Sequence, residues 1–303
     1  MKRAILAAVF FLILADLCLW LTPSHYLAAL PIWLTRQSEC SLQQFAGDLR
    51  SATAMEQTEN TPKSVRTENG LELWQSPQRT AWSVQGDKMI GFLFTEQSRD
   101  IYEPTGHEVH QGDIVLDCGA NIGMFTRTAL DKGAARVIAI EPSPKTLEAL
   151  RRNFEREIRE GRVTVYPAGV WDQDSEIELA VDANNLGNSS MIESKKAAGQ
   201  RVRVPVTTID RIVSELNLPR VDFIKMDIEG AEKHALKGAQ ATIRRFRPRM
   251  SISLEHLDDD FTAIPAEILA MEPRYTTKPC DCSIEDKKIK ALVMAFDPVQ
   301  PVQ

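Results

Sequence analysis

Positive charge is in deficit: 36 Lys and Arg stand against 42 Asp and Glu, a formal net charge of −6. Gripping a phosphate backbone needs clustered cations, so no nucleic-acid partner is expected. Cysteine is sparse too. Cys18, Cys40, Cys118, Cys280 and Cys282 make an odd count in a long chain, which does not read as a disulfide framework. Cys280 and Cys282 form one Cys-x-Cys without a second pair at suitable spacing. A structural zinc site lacks its four ligands, no metal is expected, and the pair reads as a surface turn. Internal repeats are missing as well.

One long apolar run is present. Lys2 and Arg3 precede Ala4 to Leu21, interrupted only by Asp16. As a helix it would reach about 27 Å, barely enough for a hydrocarbon core. It has no convincing small-x-small cleavage site. Three readings remain: a single anchor, a re-entrant or interfacial anchor that includes Tyr26 to Leu34, and a helix buried against the globular part. Residues 1–35 are thus read as a hydrophobic membrane anchor and 36–70 as a polar linker. Residues 71–303 form the globular domain, with its core at about 112–296.

Short alternating runs at Leu71 to Trp74, Ala81 to Val84 and Met89 to Thr95 predict strands. From Gly112 strand-like and helix-length segments alternate. Strands are predicted at Ile114 to Cys118, Val137 to Ile140, Val163 to Tyr166, Val221 to Met226 and Met250 to Leu254, with helices at 122–132, 144–160, 208–216 and 232–246. Arg274 to Thr277 and Lys290 to Phe296 can pair as a hairpin. Repeated βα units imply an α/β, doubly wound, mostly parallel sheet.

Ligands in such sheets bind beyond the carboxyl ends of the strands. There the chain places Asp117-Cys-Gly119-Ala120-Asn121-Ile-Gly123. Gly119 admits a close approach, Asn121 can cap the following helix, and Gly123 can let that helix pack on the strand. The spacing fits neither Gly-x-Gly-x-x-Gly nor a phosphate loop, and Asp117 would repel a pyrophosphate but suit an ammonium group. Glu141 ends the next strand, where a carboxylate can accept from both hydroxyls of a ribose. Lys225, Asp227 and Glu229 punctuate a buried strand. A Lys225–Asp salt bridge is the plain reading for the lysine, because buried charges are paired.

Asp117-Cys-Gly-Ala-Asn-Ile-Gly123, Ile140-Glu-Pro-Ser-Pro144 and Ile224-Lys-Met-Asp-Ile-Glu-Gly-Ala-Glu232 resemble the FkbM family of S-adenosylmethionine-dependent methyltransferases. The resemblance implies a Rossmann-like class I methyltransferase fold with a C-terminal antiparallel hairpin, here preceded by an N-terminal hydrophobic helix. It also implies S-adenosyl-L-methionine as cofactor. Asp117, Gly119, Ala120, Asn121 and Gly123 would contact its methionine part, Glu141 the ribose, and Gly169 and Asp172 the adenine. Asp227 would face the methyl group. Asp227, Glu229, Glu255 and His256 are the candidates for activating an acceptor. His234 reads better as an ordinary helix-face histidine, and Arg99 and Tyr102 as part of a lid. The implied activity is O-methylation of a sugar, lipid-linked glycan or small natural product, on a membrane-attached domain facing the cytoplasm. A membrane-attached cofactor-binding scaffold without turnover is the alternative. A nicotinamide oxidoreductase lacks its third glycine.

Overall fold

The protein is described by a computed structural model covering residues 40, 41, 45, 48, 62–96, 99–181, 200–285 and 288–299. The proposed anchor, residues 1–35, lies outside the described residues. Among the described residues no helix is long and apolar enough to cross a membrane.

The chain opens with an antiparallel meander of β1 (Lys63–Glu68), β2 (Leu71–Gln75) and β3 (Thr80–Val84), then α1 (Ile90–Glu96). The alternating units follow: β4 (Ile114–Cys118), α2 (Met124–Asp131), β5 (Arg136–Ile140), α3 (Pro144–Asn153), α4 (Glu155–Arg159) and β6 (Val163–Tyr166). β7 (Gly169–Val170), β8 (Ser175–Val181) and β9 (Gln200–Thr207) form a small sheet of their own, in the order β7-β9-β8. The chain then continues through α5 (Ile209–Glu215), β10 (Phe223–Met226), α6 (Glu232–Lys237), α7 (Gln240–Phe246) and β11 (Arg249–Ser253). It ends with α8 (Asp260–Met271), β12 (Tyr275–Glu285) and β13 (Lys288–Pro298).

The main sheet runs β12-β13-β11-β10-β4-β5-β6. Its five inner and edge strands from β11 to β6 are parallel, and the β12–β13 hairpin closes it antiparallel. Numbered within this sheet alone, the order is 6-7-5-4-1-2-3, the class I methyltransferase arrangement that the resemblance implies. Chain direction across the sheet reverses between β4 and β10, which makes the cleft beyond their carboxyl ends the ligand position. β4 and β10 are buried along their whole length, as central parallel strands must be. Side chains alternate between two cores. Leu116, Ile138 and Ile224 pack under α5, α6 and α7, while Val115, Val137 and Phe223 pack under α2 and α3. Each fully buried aliphatic side chain contributes about 1.5–3 kcal/mol.

Several sequence expectations need correction. Met89 to Thr95 is not a strand but lies largely in α1, because Ile90, Leu93 and Phe94 share one buried helical face. The helix expected over 144–160 breaks at Phe154, whose ring is buried under Gly123. The one expected over 232–246 breaks at Gly238-Ala239. There the Asp210 carboxylate reaches over from α5 and accepts from Ala241 N (3.0 Å) and Thr242 N (2.7 Å), capping α7 from outside. The stretch read as linker ends in β1 and sends Cys40 and Phe45 into a buried cluster with Cys282, Ile289 and Ala291. Cys280 and Cys282 are not a surface turn: both are buried in β12, and Cys282 is disulfide-bonded to Cys40 across a separation of 242 residues.

Candidate functional site

The glycine loop leaves β4 and folds over the end of β5. Gly119 N and Ala120 N both donate to Ile140 O at 3.0 Å. Gly119 has φ +77°, and a Cβ there would lie 1.9 Å from the carbonyl oxygen of Asp227. The glycine therefore serves the close approach of two backbones, β4 and β10. Asn121 does not cap α2; its Oδ1 accepts from Ile122 N at 2.8 Å, and Gly123 occupies the cap position with no side-chain hydrogen bond. The first-turn N–H groups of α2 are left without a side-chain cap, which suits a carboxylate ligand. Gly123 packs against α3 and Phe154 rather than the strand, since its Cβ would sit 2.1 Å from the Phe154 ring.

Glu141 stands at the end of β5. Its two oxygens accept from Ser143 N (2.9 Å) and Asn121 N (3.0 Å), so the carboxylate is fixed and keeps further lone pairs for hydroxyl donors. Burial pushes its carboxyl up to about 7. Gly169 is buried in β7, and the Asp172 carboxylate is committed to His234 Nδ1 at 2.6 Å. His234 is thus the ordinary hydrogen-bonded histidine expected, stacked on Trp171 at 3.9 Å.

Asp117 lies beneath the loop instead of in the cleft wall: it is completely buried. Its Oδ2 accepts from the Thr126 hydroxyl at 2.6 Å, and its Oδ1 is 3.7 Å from Lys225 Nζ. The reason is Lys225, itself buried, which also lies 3.8 Å from Asp227 and donates to Gly119 O at 3.0 Å. The expected Lys225 ion pair is therefore present, and it involves two carboxylates. The Lys225 ammonium also sits 5.1 Å from the ring centre of Tyr102.

The cleft edge is built by β10 and β11 together. Asp227 Oδ2 accepts from the Tyr102 hydroxyl at 2.7 Å. Its other oxygen, Oδ1, is 3.5 Å from His256 Nε2, and Glu229 Oε2 is 3.7 Å from the same nitrogen. His256 Nδ1 is held by Glu232 Oε1 at 3.0 Å. The same Glu232 oxygen accepts from Ile228 N at 2.9 Å. Burial opposes charge on His256, but Glu232, Asp227 and Glu229 outweigh it and raise its pKa. Burial and the neighbouring carboxylates push Glu229 up, whereas Lys225 and His256 hold Asp227 down despite its burial.

Three of the four candidate acceptor-side residues, Asp227, Glu229 and His256, thus converge. Glu255 is the exposed member, and its charge helps raise Glu96 and Tyr102. Three contributors have roles that the sequence reading did not assign. Tyr102 is not a lid residue but a buried support for Asp227. Glu96 closes α1 facing the same carboxylates, and burial pushes it up to about 8. Glu232 orients His256; its place three residues after Glu229 in the motif was the available signal.

Comparison with known proteins identifies the family to which this fold belongs. The model of the methyltransferase FkbM domain matches residues 117–276. Methyltransferase 1 of Beauveria bassiana is 29% identical over 143 residues, 41% of this chain and 57% of that protein. The 31-O-demethyl-FK506 methyltransferase FkbM of Streptomyces tacrolimicus is 28% identical over 177 residues, 49% of this chain and 68% of that one. The hexuronic acid methyltransferase AglP of Haloferax volcanii is 26% identical over 159 residues, 52% of this chain and 62% of that one. The similarity therefore spans little more than half to two thirds of these relatives. With the family's motifs on the expected strands of its sheet and its domain matched over more than half of the chain, this protein belongs to the FkbM methyltransferase family, whose cofactor is S-adenosylmethionine.

Proposed function

We propose that the chain transfers the methyl group of S-adenosylmethionine to a hydroxyl of a sugar, lipid-linked glycan or small natural product. The convergence of Asp227, Glu229 and His256 at the cleft edge, beside the glycine loop, carries this reading. In it the uncapped α2 N-terminus takes the cofactor carboxylate, the acidic edge takes the ammonium and sulfonium, and Glu141 takes the ribose. The sulfonium already makes the methyl carbon electrophilic, so the protein's part is alignment, exclusion of bulk water and removal of the acceptor's proton. A relative named for hexuronic acid methylation supports a sugar acceptor.

Calorimetric titration of S-adenosylmethionine and of NAD tests the reading: heat is expected with the first only. Glu141 adds a pH signature. Its folded value of about 7 lies above the ordinary 4.5, so its contribution to the stability of the ligand-free protein is full below 4.5 and lost as pH rises through 7. Ribose hydroxyls favour the ionised form. Binding below pH 7 therefore releases a proton, and affinity is expected to rise with pH up to about 7, then level off. Glu141→Gln should abolish that dependence and weaken binding on the order of 10–100-fold, the worth of one charged hydrogen bond. Equal affinity from pH 5 to 8, in wild type and variant alike, would remove Glu141 from the ribose.

The N-terminal run remains the proposed membrane attachment. For the side faced by the domain, a cofactor made in the cytoplasm favours the cytoplasm, whereas the Cys40–Cys282 bond fits an oxidising compartment, because disulfides persist there. Alkylating the thiols at the moment of cell lysis, followed by peptide mapping, is expected to find Cys40 and Cys282 bonded and Cys118 and Cys280 free. Alkylation of all five cysteines, Cys40 and Cys282 included, would favour the cytoplasmic orientation.

A further inference from the structure

We propose that Asp227, Glu229 and His256 bind a divalent metal cation that presents two adjacent oxygens of the acceptor to the methyl group. This rests on the methyl-transfer reading and adds an acceptor class to it: vicinal diols and hydroxy acids, as in sugars and uronic acids.

The spacing is the first argument. One ligand atom from each of the three residues lies within 4.8 Å of the others. His256 Nε2 is 3.5 Å from Asp227 Oδ1 and 3.7 Å from Glu229 Oε2. These gaps are too wide for N–H···O hydrogen bonds, which run to ~3.2 Å. They match two ligands of one cation: with bonds of about 2.0–2.2 Å, neighbouring ligand atoms stand roughly 3 Å apart and opposite ones roughly 4 Å.

The outer contacts are the second argument. Asp227 Oδ2 accepts from the Tyr102 hydroxyl, and Oδ1 is the oxygen that lies toward His256 Nε2. His256 Nδ1 is held by Glu232, so Nε2 faces inward, and a cation binding there displaces the proton that the surrounding carboxylates otherwise keep on the ring. A carboxylate behind a histidine and a hydroxyl behind a carboxylate are the supports that metal ligands characteristically carry. Glu232 is completely buried, and its Oε2 has no hydrogen-bond partner among the described residues. Its charge is answered through the imidazole, and a cation on the far side of the ring completes that chain. Solvent reaches the inner carboxylates where it does not reach Glu232: the Asp227 and Glu229 side chains are 26% and 29% exposed.

One imidazole and two carboxylates suit a first-row cation such as Mn2+. Three ligands on one side leave positions for water and for two acceptor oxygens. The coordinated hydroxyl becomes more acidic and gives its proton to water. Its oxygen then forms the C–O bond as the methyl carbon leaves sulfur, and the S–C electron pair stays on sulfur. The products are a methyl ether, S-adenosylhomocysteine and one proton.

The test uses the full chain, stripped with a chelator and titrated with Mn2+, free metal being read by electron paramagnetic resonance. S-adenosylmethionine binding is followed separately by calorimetry. One Mn2+ per chain is expected. His256→Ala and Glu229→Gln should each weaken it at least tenfold, and Glu232→Gln and Tyr102→Phe by a smaller factor. Glu229 is partly exposed, so its variant is expected to keep the wild-type circular dichroism even if the others do not. No Mn2+ binding by the wild type, or undiminished binding by Glu229→Gln and His256→Ala, overturns the cation site. With cofactor binding intact, either result leaves the methyl-transfer reading standing. Loss of cofactor binding beside retained Mn2+ would instead strike that reading.

Discussion

Lys225→Met is expected to lower the melting temperature by roughly 6–20 °C, the equivalent of about 3–5 kcal/mol in a domain of this size. Lys225 is buried on β10 between Asp117 and Asp227, at 3.7 and 3.8 Å. Methionine fills a similar volume, so the loss is electrostatic: two carboxylates remain where neither water nor an ammonium reaches Asp117. Such a deficit is a large part of the ~5–15 kcal/mol that holds a typical domain together. The pH dependence follows. Burial already raises Asp117 above its ordinary value of 3.8 with Lys225 present. Without the lysine the folded state binds protons still more tightly. Its stability is then greatest below that ordinary value and declines as pH rises, so the deficit narrows toward pH 4. Adding Asp117→Asn should recover part of the loss, because removing both partners costs less than stranding one. Thermal unfolding followed by circular dichroism measures all three proteins. A wild-type melting temperature for Lys225→Met would mean that the ion network does not support the fold.

Gly119→Ala is expected to abolish detectable S-adenosylmethionine binding and to cost about 2–5 kcal/mol of stability. The new methyl would stand 1.9 Å from Asp227 O and 3.0 Å from Asp227 C, both backbone atoms that no rotamer change can move. Either the loop lifts off β10 or β10 shifts, and both deform the cleft. Gly86→Ala is the matched control. It has a similar φ of +84° but nothing within 4 Å of its new methyl, so it carries only the backbone strain. Calorimetry and thermal unfolding of the pair separate collision from strain. Equal behaviour of the two variants would refute the collision.

Much of this architecture was legible because parallel sheets write themselves plainly. Ile114 to Cys118 and Val163 to Tyr166 are short, mostly apolar runs bounded by turn residues, and both strands have the predicted limits. The hairpin 275–298 was visible in its two ends only, since charged residues interrupt the apolar pattern of its middle. α8 was not foreseen, because Pro265 interrupts a helix already weakly patterned. The cleft was legible where a motif is local: Gly119, Glu141, Asp227 and Glu229 all lie at strand ends as expected. Contacts joining distant positions left no local trace. Tyr102 meets Asp227 across 125 residues, and Cys40 meets Cys282 across 242. Periodicity cannot report such pairs.

The support that Tyr102 gives Asp227 bears on where this domain can be cut. The matched family region starts at 117 and the alternating pattern at 112, which invites expression from there. A fragment trimmed so would lose Ile101, Tyr102 and Val109 from the second core, together with the hydroxyl that aims Asp227. It would also lose β3, whose Trp82 backbone is clasped by the Asn153 amide at 2.7 and 2.9 Å while that amide holds Ile122 O at 2.8 Å. The meander is thus wired to the residue that follows Asn121 in the glycine loop. For chimeras, truncations and domain grafts, the transferable unit must reach at least to Lys63, about fifty residues upstream of the point that pattern matching would choose, and to Cys40 if the bond to Cys282 is to be kept.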